Sequence, residues 1–179
     1  FGSELEVDVW VEPGQSIQCD GFTIETIFTP GHSPGHYCVV EPETGVLLAG
    51  DMISGFGSVG IFPPHGSMRD YIESLRRLLA AHEARPFSLV GPGHGPPITE
   101  PRPFLAALKV HREEREALVV DALRARAGRP ATAAELVPPV YGELDPRLVA
   151  AAGRSLLAHL IKLEAEGAAK REGEAWLST

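Results

Sequence analysis

Along the first fifty residues, apolar side chains alternate with polar ones or run together in short β-branched stretches at residues 5–11, 21–28, 37–41 and 45–50. Turn-forming strings such as EPG, CDG and EPETG separate these stretches, and a period of two punctuated this way predicts a series of strands. At Ser67 the period lengthens. Met68, Tyr71, Ile72, Leu75, Leu78 and Leu79 recur at three- and four-residue intervals behind a serine suited to cap a helix, so residues 67–84 are predicted to form an amphipathic helix ending before Pro86. The apolar run from Phe87 to Val90 reads as another strand, leading into the loop GPGHGPP. Residues 103–127 read as a long charged helix closed by Gly128 and Pro130.

After this break the pattern is mainly helical. Thr132 with Glu135 three residues on has the form of a capping box, and Asp145 followed by Pro146 opens a further helix that ends near Gly167. The tail AAKREGEAWLS reads as a hairpin turning at Glu172 and Gly173. The predicted division is therefore residues 1–128, an α/β domain, and residues 129–179, a winged-helix-like, all-α unit with a terminal hairpin.

Composition narrows the partners. A chain of 179 residues, 44% hydrophobic and 22% charged, suffices for one core, or for one core and a small satellite. Its net charge of -8 argues against a polyanion-binding surface spread over the whole chain. Cys19 and Cys38 lie far apart, and Cys38 sits in the apolar run HYCVV, so both read as free thiols in a reducing compartment. No apolar run approaches the roughly 18 residues of a membrane span, and no signal-peptide pattern opens the chain, so the expected location is the cytoplasm. Because the chain starts at Phe1 and enters a strand-like run almost at once, it is expected to be part of a longer protein whose N-terminal segment precedes it.

Three apolar strands are each followed by a residue able to bind a metal: His32 in TPGHSPGH, Asp51 in VLLAGDM and His94 in VGPGHGP. Imidazole and carboxylate suit borderline metals such as zinc, and a carboxylate can bridge two ions where a histidine cannot. His32 would then serve one ion, His94 the other, and Asp51 would lie between them. His36, four residues after His32, cannot share a helical face with it among these glycines and prolines. His36 and Ser33 are expected to brace the loop through hydrogen bonds rather than to bind metal. His65 reads as a loop residue near a cleft rim, His82 and His159 as structural or solvated, and His111 as part of the charged face HREERE.

In these strings the chain resembles the metallo-β-lactamase superfamily, in particular the branch of glyoxalase II and the β-lactamase-like protein 2 type of hydrolase. The resemblance runs on through YIESLRRLL and HREEREALVVDAL into the terminal unit. It implies the C-terminal part of an αββα sandwich whose complete site holds two Zn2+ ions, with Mn2+ or iron as alternatives. It also implies hydrolysis of a thioester, an ester or the phosphodiester of single-stranded RNA, with Asp51 positioning the bridging hydroxide. The family's HxHxDH string occurs nowhere in these residues, so the chain alone is expected to be inactive, its partner being the missing N-terminal segment of the same protein. Acidic and basic residues roughly balance from Pro103 onward, which favours the winged-helix-like unit as a lid or packing element, or as a homodimer contact, over a nucleic-acid reader. A different class of reading is a non-catalytic half-domain that binds a partner protein through an exposed sheet edge.

Overall fold

The computed structural model describes residues 10–179. Most of the predicted strand at 5–11 lies outside the described residues, and Trp10 and Val11 belong to no strand. Five strands form one sheet in chain order: β1 (Ser16–Cys19), β2 (Phe22–Phe28), β3 (Tyr37–Glu41), β4 (Val46–Ser54) and β5 (Leu89–His94). The first four pair antiparallel, whereas β5 runs parallel to β4. A parallel partner needs a crossover, and helix α1 (Met68–Ala84) is that crossover.

Alternation assigns the faces of the sheet. Cys38, Val40, Leu47 and Ala49 are buried in one cluster with Tyr71, Ile72, Leu75 and Leu78 of α1. Leu48, between two of these, is 58% exposed on the opposite face. Each fully buried leucine on the helix contributes about 1.5–3 kcal/mol, and this is what keeps α1 on the sheet. Ser67 caps the helix as its sequence suggested, its hydroxyl accepting from the Asp70 amide at 3.3 Å.

Helix α2 (Pro101–Arg124) starts two residues before the predicted helix and ends three residues earlier. Pro101 and Pro103 fit its first turn because amides there have no intrahelical partner to lose. Its N-terminal half places Leu105 and Leu108 in the sheet's core, and its C-terminal half places Val119 and Leu123 in a second core. That second core belongs to α3 (Ala133–Tyr141), α4 (Pro146–Ala165) and a small sheet of β6 (Ala131–Thr132), β7 (Ala169–Glu172) and β8 (Ala175–Ser178).

The capping box of Thr132 and Glu135 is present, and Asp145 caps α4 by accepting from the Arg147 amide at 2.9 Å. The predicted hairpin is β7–β8, but β6 pairs with β8 to give the order β6-β8-β7, so the unit carries a three-stranded wing and is not all-α. Among the described residues no helix is long and apolar enough to cross a membrane. Cys19 and Cys38 are not disulfide-bonded, and burial pushes the Cys38 thiol up to about 12.

Candidate metal centre

The loop between β2 and β3 is tied down from several sides. The Thr29 amide donates to the His36 carbonyl at 2.9 Å, the Gly31 amide to the Ser33 carbonyl at 3.2 Å, and the Ser67 amide to the Gly31 carbonyl at 2.8 Å. The Ser74 hydroxyl donates to the Pro30 carbonyl at 2.7 Å, which holds the loop against α1. At Gly31 the approach leaves no room for a side chain: φ is 147°, and an added Cβ would lie 2.4 Å from the Tyr71 Cα. The glycine of TPGH is therefore required by packing as well as by the turn.

From this braced loop His32 donates through Nδ1 to the Gly60 carbonyl at 3.0 Å. A carbonyl can only accept, so the proton is on Nδ1 and the lone pair of Nε2 is left for a ligand. His36 uses its Nδ1 differently. It lies 2.9 Å from the Thr29 hydroxyl, that hydroxyl donates to Cys38 Sγ at 3.3 Å, and the thiol donates to the Ala49 carbonyl at 3.6 Å. Such a chain runs in one direction only if His36 Nδ1 carries the proton. Burial lowers the His36 pKa, the neighbouring His32 lowers it further, and Asp51 partly offsets both. At neutral pH this ring is uncharged.

Asp51 and His94 were expected in loops after strands, but both lie within strands: Asp51 inside β4 and His94 at the end of β5. The β4–β5 register shifts between Leu48 and Gly50 and again between Gly50 and Ser54. Such irregularities re-aim side chains, and here Asp51 Oδ1 sits 3.3 Å from His94 Nε2. Gly93 makes room, since a Cβ there would lie 2.4 Å from the Asp51 carboxylate. The two side chains are 48% and 74% exposed, so their attraction is screened by water and contributes little to stability. They are accessible for binding instead.

The donor types and the orientation of His32 suit a borderline metal, with His32, Asp51 and His94 as the residues that would hold it. The set is incomplete: among the described residues no three histidine, cysteine or carboxylate side chains converge as a metal site. Asp51 and His94 are in contact, and His36 lies within electrostatic reach of His32 and Asp51.

The remaining histidines lie elsewhere. His65 is exposed, and His82 accepts from the Phe87 amide at 3.0 Å with its ring edge-on to that of Phe87. His159 is fully buried and donates through Nδ1 to Glu116 at 3.2 Å.

Sequence reasoning passed over Arg112, which stands inside the run assigned to a solvated face. It is 4% exposed, donates to the Val59 carbonyl and lies 5.1 Å from the centre of the Tyr71 ring. A signal for it existed: Arg112 falls four residues after Leu108 and seven before Val119, on the buried stripe of α2.

Known proteins resemble this chain in sequence and in fold. A family model described as the metallo-beta-lactamase superfamily matches residues 1–94, and one described as a beta-lactamase associated winged helix domain matches residues 132–176. A beta-lactamase-like protein 2 homolog of Drosophila melanogaster is 31% identical over 167 residues, covering 92% of this chain and 54% of the relative. An atrochrysone carboxyl ACP thioesterase of Aspergillus fumigatus is 29% identical over 140 residues, covering 73% of this chain and 42% of the relative. Among solved structures, a metallo-beta-lactamase family protein from Thermus thermophilus superposes with a TM-score of 0.78 at 27% identity, covering 97% of this chain and 55% of that one. A beta-lactamase domain protein from Burkholderia ambifaria gives 0.74 at 29% identity, covering 94% and 52%. The chain thus spans about half the length of these relatives. With one family model covering more than half of its residues, the chain belongs to the metallo-beta-lactamase superfamily.

Proposed function

We propose that this chain contributes His32, Asp51 and His94 to a metal-dependent hydrolase centre acting on acyl thioesters or esters. The observation that carries the reading is the exposed Asp51–His94 pair at 3.3 Å, with His32 presented by the Gly60 carbonyl. When bound, the metal, zinc on donor type with manganese or iron able to use the same donors, supplies Lewis-acid polarisation and a lowered pKa for water. The chain's own residues bind and orient. His32 and His94 offer imidazole nitrogens, Asp51 offers a carboxylate and a hydrogen-bond acceptor, and neutral His36 stiffens the loop without adding charge. A catalytic zinc takes about three protein ligands, more than the described residues bring together at one point.

A thioester is favoured because a relative covering 73% of the chain is named as a thioesterase, and because the terminal unit shows no basic stripe for nucleic acid. The test combines elemental analysis and intact mass with turnover of acyl thioesters and of single-stranded RNA. In a protein that carries the further donors, metal uptake with thioester cleavage is the expected result, and RNA cleavage alone would replace the substrate class. A second reading, partner binding by a non-catalytic half-domain, rests on the exposed apolar side chains Leu48 and Phe56, at 58% and 82%. A folded protein that carries those further donors and still takes up no metal would favour it.

A further inference from the structure

A cavity of about 300 Å³ lies between segment 58–62, α2 and the start of α4. Its wall is largely apolar, with Phe62, Tyr141 and Leu148, and its charged members are all basic: Arg112 and Arg115, beside His111. No aspartate or glutamate lines it, although the chain has 24 acidic residues against 16 basic ones. The four other cavities described each include a carboxylate, at Asp70, Glu73, Glu100 or Glu25. This one therefore stands apart in the sign of its charge.

Its cations are also unmatched. Arg112 is 4% exposed, and its Nε has no hydrogen-bond partner among the described residues. Arg115 stacks 4.4 Å from the centre of the Tyr141 ring and donates to the Val140 carbonyl. Neither guanidinium forms an ion pair among the described residues, where Arg76, Arg85, Arg102, Arg126 and Arg147 all do. Burying a cation without an anion is costly, and the guanidinium fork matches carboxylate and phosphate oxygens.

We infer that this cavity binds the anionic end, carboxylate or phosphate, of a small molecule with an otherwise apolar body. It adjoins the metal-ligating loop through Gly60, which lines the cavity and whose carbonyl orients His32. In naming a substrate class the inference rests on the hydrolase reading, but the anion site itself does not.

The test is calorimetric titration of the chain, in chelator and without metal, with octanoate, octyl phosphate and octanol. Both anions are expected to bind saturably, with octanol at least ten-fold weaker, and the tighter anion identifies the chemical source. Leu148→Asp places a carboxylate at a lining position that is 55% exposed, where folding tolerates it, and is expected to weaken both anions at least ten-fold. Arg115→Gln should do the same. Equal binding of octanol and octanoate, no saturation by either anion, or Leu148→Asp binding like the parent chain would overturn the proposal. Because no metal is present, these outcomes are independent of whether the chain hydrolyses anything.

Discussion

The strand ends of the main sheet and the junction of α2 with α4 both gather polar side chains, and they treat them in opposite ways. Beside the irregular β4–β5 register Asp51 and His94 meet at 3.3 Å with both side chains largely open to water. At the junction His159 is fully buried, Glu116 accepts from it and from Lys162, and Lys162 reaches on to Glu166. Burial opposes ionisation of Glu116, but the hydrogen bonds from His159 and Lys162 outweigh it and hold the carboxyl below its usual range. Exposed polar groups can be exchanged at little cost to the fold, whereas enclosed ones are part of the fold.

The largest expected effect is at the junction. Glu116→Ala strands a buried imidazole and a largely buried ammonium, and is expected to cost about 2–4 kcal/mol in urea denaturation. A loss below about 0.5 kcal/mol would erase the contrast between the two regions.

Next comes acid sensitivity. Burial is the main cause of the depressed His159 pKa and outweighs Glu116. An unfolded chain therefore takes up this proton more readily than the folded one. Stability is full above the ordinary histidine value of 6.5 and falls as pH drops from there toward the lower folded value. His36 and His111 shift the same way, so His159→Gln should reduce, not abolish, the fall in Tm between about pH 7 and pH 5. An unchanged slope would remove His159 from the account.

The smallest stability effect is at the strand ends. Asp51→Asn should leave the denaturation midpoint within about 0.5 kcal/mol of the parent, while metal uptake measured by elemental analysis falls. A large loss of stability there would mean that the pair is structural.

The same contrast explains what could be read from the amino acids alone. Ser67, Thr132 with Glu135, and Asp145 with Pro146 act on amides within three residues, so their signals are local and the structure shows all three caps. His32, Asp51 and His94 stood out as candidates because glycines and prolines set them off from apolar runs. Strands β1 and β6 were missed because they are four and two residues long and take their form from partners elsewhere in the chain. Asp51 reads as a loop residue in the sequence because the extension of β4 depends on β5, some forty residues later. Arg112 was hardest of all. Its burial depends on Val59, 53 residues away, and a charge in a charged run carries no mark of that.

Helix α2 has a practical consequence for anyone dissecting this protein. The sequence break at Gly128 and Pro130 invites a cut there, and the winged-helix family model begins only at Thr132. Yet Val119 and Leu123 pack with Leu136, Leu156 and Trp176, so a fragment starting at the break would leave behind one wall of its own interior. The wing can be transplanted only with the last turns of α2 attached, and α2 is a beam shared by two rooms.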